Sequence, residues 1–157
     1  MSDTPEVIKH DKSTNRFLFQ WFSGLERGLK RMDDAARSVL LQECGKACAD
    51  SYTAEQFRQA KAESGDLDDF LHRLAQRFPE AAYKKISANS LNVCYSRCEC
   101  DLVKRRLVTT PLLCECSMHN LKANFEAALG VPVEVTTEST ILRGNLQCAF
   151  VVRWDEG

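Results

Sequence analysis

No stretch of this sequence approaches the roughly 18 consecutive apolar residues that cross a bilayer, so no membrane-spanning segment is expected. Charge of neither sign dominates: 21 Lys and Arg stand against 22 Asp and Glu. That balance leaves no basic face for nucleic acid. The opening residues, MSDTPEVIKHDKSTN, are polar and lack the apolar core of a secretory signal. A cytoplasmic setting is therefore expected. No internal repeat, low-complexity tract or linker is visible. Cysteine is too sparse for a disulfide scaffold: eight in 157 residues fall short of the roughly 8–10% of such secreted chains. In a reducing compartment, paired cysteines point instead to metal or thiol chemistry.

What remains is an ordinary folding chain, 44% apolar and 27% charged, of a length that favours one domain. Residues 1–13 read as a flexible tail and residues 14–157 as a single cysteine-rich domain. Phe17, Trp21, Leu25, Leu29 and Met32 recur at spacings of three and four and predict a helix over Thr14–Met32. Asp33 or Asp34 then caps a second helix with Ala36, Leu40, Cys44, Ala47 and Cys48 on one face. Thr53 and Gln56 echo a capping box for a third, over Thr53–Glu63. After Gly65, Asp66 opens a fourth helix with Leu67, Phe70, Leu71, Leu74 and Phe78, ended by Pro79.

Past Pro79 the pattern becomes mixed. Ile86–Tyr95, with a polar turn at Ala88–Ser90, and Leu107–Cys116 read as strands. Ser117 reads as the N-cap of a helix with Leu121, Phe125, Ala128 and Leu129 inward, stopped by Gly130 and Pro132. Val133, Val135 and Thr137 alternate, and so do Cys148, Phe150, Val152 and Trp154. With Arg143-Gly144-Asn145 as the turn between them, they predict a C-terminal hairpin. The expected fold class is α+β: N-terminal helices, then a mostly antiparallel sheet with one inserted helix.

The chemistry is expected at the cysteines. Residues i and i+2 of a strand project to one side. Cys98-Glu99-Cys100 and Cys114-Glu115-Cys116 could each aim two sulfurs at one point, with Cys148 joining from the last strand. Such a set suits tetrahedral Zn²⁺, an iron–sulfur cluster or Cu(I). The expected metal set is Cys98, Cys100, Cys114, Cys116 and Cys148. Cys116 carries a second reading: a helix N-terminus favours its thiolate, and His119 and Glu115 stand near in sequence, so Cys116, Glu115 and His119 are the candidate catalytic residues. Cys44 and Cys48 fit an apolar stripe and are the first to assign to the core. Cys94 precedes the first pair at an odd spacing and is left unassigned. His10 and His72 read as solvated, and Lys104-Arg105-Arg106 as a loop able to pair with a carboxylate.

Several of these segments carry a resemblance. Cys98-Glu99-Cys100-Asp101-Leu102-Val103, Cys114-Glu115-Cys116-Ser117, Phe125 to Val135, Glu138-Ser139, Gly144 to Phe150 and Cys44-Gly45-x-x-Cys48 resemble bacterial proteins labelled L-2-amino-thiazoline-4-carboxylic acid hydrolase-like. The likeness runs over about residues 40–154. The C-terminal stretch is also similar to the 4-vinyl-reductase-type ligand-binding domain of bacteriochlorophyll-pathway proteins and aromatic-sensing activators. In those sensors zinc is held by cysteines before a helix and in the last hairpin, plus an acidic residue. Cys116 and Cys148 match two of these positions. Thr140 stands at the other hairpin cysteine, and the acidic position falls at Thr137 or Glu138. Cys98, Cys100 and Cys114 are the thiols that could replace what is missing.

Three functions follow as expectations. The first is a small-molecule-binding domain with a zinc–thiolate site. The second, implied by the first resemblance, is a hydrolase of cyclic amidines such as thiazoline carboxylates. It would use metal-activated water with Glu99, Glu115 or Glu138 as proton acceptor, or the Cys116 thiolate. The third is a thiol redox or sensory module. The expected partner is a small molecule, a carboxylate among the candidates, with a second copy of the chain as a further partner.

Overall fold

A computed structural model describes residues 12–155 of the chain. The tail assigned to residues 1–13 falls mostly outside the described residues, as does His10; Lys12 and Ser13 already belong to the first helix. The fold is α+β, helices first and then a four-stranded antiparallel sheet in the order β1-β2-β4-β3. The strands are β1 (Ala81–Ser87), β2 (Ser90–Tyr95), β3 (Val133–Ser139) and β4 (Cys148–Trp154). Two hairpins, β1–β2 and β3–β4, meet along the central β2–β4 ladder. No described helix is long and apolar enough to cross a membrane.

The first helix, α1 (Lys12–Arg31), forms where the apolar spacing places it. Only its C-terminal half is covered. Leu29 is buried and Phe22, Leu25 and Met32 pack around it, whereas Phe17 and Trp21 are exposed. The Asp33 carboxylate accepts the Ala36 N–H at 2.8 Å and starts α2 (Asp34–Cys48). The face of α2 that is buried differs from the expected one. Leu41, Gly45 and Ala49 face inward, and Cys44 and Cys48 are exposed.

The expected capping box at Thr53 does not form. The chain passes from α2 through a π-helical turn (Ala49–Thr53) straight into α3 (Ala54–Ala62), so Thr53 is itself helical and needs no cap. Its hydroxyl instead donates to Asn124 Oδ1 at 2.8 Å. Asp66 caps α4 (Leu67–Arg77) by accepting the Asp69 N–H at 2.8 Å.

A second correction concerns Leu107–Cys116. No strand forms there. After the short α5 (Asp101–Lys104) the chain runs through a 3₁₀ turn at Pro111–Leu113 into α6 (Cys114–Leu129). Pro111 starts this turn, as its pre-set φ favours, and the helix opens three residues before Ser117. Its end is as expected, with Gly130 in the left-handed region at φ 69°. Glu126 then accepts the Val133 N–H at 3.0 Å and docks the helix end on β3.

One core lies between the sheet and helices α3, α4 and α6. Leu91, Val93, Phe150, Val152, Val133 and Val135 project from alternate strand positions onto Phe57, Phe70, Leu74, Leu121 and Phe125. Phe57 and Phe70 both meet the Phe125 ring edge-to-face. A smaller cluster of Leu29, Leu41, Val108 and Leu113 joins α1 and α2 to the segment before α6. Glu26 ties this second cluster down. Its carboxylate accepts the N–H groups of Thr109 and, at 2.9 Å, Thr110. Burial raises this carboxyl's pKa, but the two N–H groups and Lys30 outweigh it and hold the group below its ordinary value.

Two glycines make opposite predictions. A Cβ at Gly45 would lie 2.5 Å from the Cys116 carbonyl oxygen and 2.7 Å from His119 Cβ, whereas one at Gly28 would meet nothing within 4 Å. Gly45→Ala is expected to lower the urea midpoint, by about 1–3 kcal/mol in stability. Gly28→Ala should raise stability by roughly 0.5–1 kcal/mol. The Glu26 contribution has a sign in pH. Its depressed folded-state pKa gives stability above the ordinary carboxylate value that is lost as pH falls through the lowered one. Glu26→Gln should therefore reduce stability at neutral pH and flatten the acid limb of the midpoint-against-pH curve.

Candidate functional site

The first turn of α6 decides where the cysteines go. In a helix, residues i and i+2 are about 200° apart, not on one side as in a strand. Cys114 and Cys116 therefore cannot aim at one point, and the pair separates. Cys98 and Cys100 stay close, the Cys98 sulfur taking the Cys100 N–H. They lie on the irregular segment between β2 and α5, with Cys100 immediately before α5 in extended conformation.

One group of thiols consists of Cys98, Cys114 and Cys148. Burial raises the Cys114 thiol above its ordinary pKa, a contact from Thr140 opposes this, and the sulfurs of Cys148 and Cys98 add to the rise. Burial likewise raises Cys98, against the Cys100 N–H, with Cys100, Cys148 and Glu99 adding. Cys148 Sγ accepts the Ile141 N–H at 3.4 Å. The Thr140 hydroxyl is buried near Cys114 and meets no partner at full hydrogen-bond geometry. Arg143 supplies a positive charge to this group.

The second group was not foreseen. Burial, with the thiols of Cys48, Cys44 and Cys100 adding to it, pushes Cys116 up to about 12. Burial also raises Cys48, with Cys100 and Asp101 contributing. Cys44 and Cys48, expected in the core, thus sit exposed beside Cys116 and Cys100. The sequence signal was Gly45 between them, which marks a close helix crossing. Cys94 belongs to neither group; it lies on β2, and burial and then Glu138 raise its thiol.

These positions bear on the catalytic candidates. The helix end favours a Cys116 thiolate, but burial and three neighbouring sulfurs outweigh it, so the thiol keeps its proton at neutral pH. Both ring nitrogens of His119 are buried without a hydrogen-bond partner, and Nε2 lies 3.7 Å from Glu115. Glu99 is engaged by Arg97 at 2.9 Å and Lys104 at 3.1 Å. Burial raises its carboxyl, but these two cations outweigh that and hold it below its ordinary value. The basic run is divided: Lys104 pairs with Glu99, and Arg106 turns the chain at φ 59°. His72 is exposed beside Gln76. Among the described residues, no group of three or more His, Cys, Asp or Glu side chains is placed to hold a metal ion.

No family model matches the chain, and no curated protein does. Solved structures do share its fold. A trafficking protein particle complex subunit 3 from Naegleria fowleri, covalently bound to palmitic acid, is 17% identical with a TM-score of 0.56, over 93% of this chain and 98% of that one. The phenol-responsive sensory domain of the transcription activator PoxR, solved with phenol, is 13% identical with a TM-score of 0.57, over 90% of this chain and 73% of that one. At the level of fold, the second likeness agrees with the resemblance to aromatic-sensing activators.

The thiol environments predict an order of alkylation. Exposed Cys44 should react with iodoacetamide first at neutral pH, and Cys116 should stay unmodified until the pH is raised well above 8. Peptide mass spectrometry of a time course reads this directly. Early labelling of Cys116 would contradict its protonated, half-buried state.

Proposed function

We propose that this chain is a small-molecule-binding sensory domain organised around a zinc–thiolate site on Cys98, Cys114 and Cys148. The observation that carries the reading is that three thiols from separate elements, the segment after β2, the first turn of α6 and the start of β4, lie near enough to raise one another's pKa. The donor set suits a soft divalent ion. Thr140, whose buried hydroxyl lacks a full complement of hydrogen bonds, borders it. Ligation requires the sulfurs to move toward one another, drawing on the roughly 10–16 kcal/mol that structural zinc sites supply. When bound, the ion would tie the sheet to the helix start.

The shared fold with a phenol-responsive sensory domain supports the sensory half. Arg143, whose charge reaches Cys114, offers a cationic partner for a ligand carboxylate. For the hydrolytic alternative, the thiolate route lacks its attacking group, because Cys116 is protonated. Its remaining support is the Glu115–His119 pair beside the thiols, where Glu115 would accept a proton from an activated water.

Purified under reducing conditions, the protein should carry about one zinc that Cys98→Ser and Cys148→Ala each release, read by elemental analysis with circular dichroism to confirm folding. Zinc content indifferent to both substitutions would overturn the reading. Turnover of a thiazoline carboxylate, abolished by Glu115→Gln, would instead establish the hydrolase.

A further inference from the structure

We propose that the outward face of α1 docks this protein on anionic lipid bilayers, lying along the surface without crossing it. The even charge balance of the whole chain conceals an uneven distribution. Helix α1 carries five cations, Lys12, Arg16, Arg27, Lys30 and Arg31, against one carboxylate, Glu26. Glu26 is turned inward to the N–H groups of Thr109 and Thr110. Among the described residues, none of the five cations forms an ion pair, whereas Arg73 and Arg77 of α4 both do.

The aromatic side chains of α1 divide between inside and outside. Phe22 packs inward with Leu25, Leu29 and Met32. Phe17, Phe19 and Trp21 stay 62%, 50% and 55% exposed. Trp21 meets Phe22 edge-to-face with ring centroids 5.3 Å apart, so the core-packed ring beneath it holds it at the surface. At about 100° per residue, Phe17, Trp21, Gly24 and Gly28 run along one edge of the buried stripe, and Phe19 stands at the other. The cations occupy the outer surface between these edges.

Gly24 and Gly28 open this surface. With Arg27, Lys30 and Arg31 they line a groove of about 570 Å³. A Cβ at Gly28 would meet nothing within 4 Å, and one at Gly24 only the Arg27 side chain, at 3.7 Å. Neither glycine answers to a close contact among the described residues, and each weakens the helix relative to alanine. A groove rimmed by three cations fits a lipid phosphate, which Arg takes in bidentate fashion. Exposed aromatic rings beside a cationic helix face suit the boundary between headgroups and acyl chains. Charge selects this occupant over a second copy, because two α1 faces would set five cations against five. Phe17, Phe19 and Trp21 favour a bilayer over a nucleic-acid duplex, whose phosphates would leave those rings in water.

Flotation of the full chain with lipid vesicles tests this. The parent should bind phosphatidylcholine vesicles containing about 30% phosphatidylserine, come off as NaCl rises toward about 1 M, and ignore pure phosphatidylcholine. Binding should shift Trp21 emission to the blue and leave Trp154, which packs on the core, unchanged. Arg27→Gln/Lys30→Gln/Arg31→Gln should weaken binding on the order of 100-fold. Phe17→Ser/Trp21→Ser should weaken it too and abolish the emission shift. Removing three cations elsewhere, in Lys46→Gln/Lys84→Gln/Arg105→Gln, should leave binding at the parent's level, with circular dichroism confirming the fold of each variant. Equal binding to both kinds of vesicle, or an equal loss in the Lys46, Lys84 and Arg105 variant, would overturn the proposal. So would tighter binding to a single-stranded oligonucleotide than to the anionic vesicles, or a parent dimer that Phe17→Ser/Trp21→Ser converts to a monomer.

Discussion

The contact on which the rest of the thiol arrangement depends is the crossing of α2 over α6 at Gly45. Only a residue without a side chain admits a backbone approach in which a Cβ would sit 2.5 Å from the Cys116 carbonyl oxygen. That approach brings the exposed thiols of Cys44 and Cys48 to the helix that carries Cys116. It also sets the direction in which the π-helical turn carries the chain into α3. The Thr53–Asn124 hydrogen bond then joins that turn to the middle of α6. Helix α6 is thus gripped along one side by α2 and α3, and its apolar face is free to cover the sheet.

Because α6 begins at Cys114 rather than Ser117, its first turn projects sulfurs in two directions. Cys114 faces the end of the β3–β4 hairpin, where Thr140 and Cys148 stand. Cys116 faces α2. The segment before α5 passes the same helix end, with Cys98 acting on Cys114 and Cys100 acting on both Cys98 and Cys116. The helix N-terminus favours thiolates on both sides, but burial and neighbouring sulfurs prevail. Cys114 and Cys116 are therefore protonated thiols, poorly suited to nucleophilic attack.

The helical half was legible because its signals are local. Asp33 and Asp66 cap as their sequence contexts suggest, Gly130 ends α6, and Leu91, Val93, Phe150 and Val152 face the core with strand periodicity. The failures were also local, with tertiary causes. Thr53 has the spacing of a capping box, but α2 continues into α3 and leaves no helix start to cap. Leu107–Cys116 has apolar strand-like composition, yet Val108 and Leu113 are drawn onto Leu29 and Leu41, and Pro111 opens a helical turn instead.

The sequence by itself determined that the chain is α+β, where most helices and the final hairpin lie, and that cysteines dominate its chemistry. Those follow from side-chain periodicity and turn residues, which act over a few neighbours. Only the tertiary structure decided which sulfurs meet. A Cys-x-Cys spacing directs two thiols to one side in a strand and to different sides in a helix, and nothing within the three residues selects between them. That selection came from packing far along the chain: Leu41 and Gly45 against α6, and Thr140 and Cys148 at the hairpin end. It separated Cys114 from Cys116 and left Cys44 and Cys48, which read as core, exposed on either side of the Gly45 crossing.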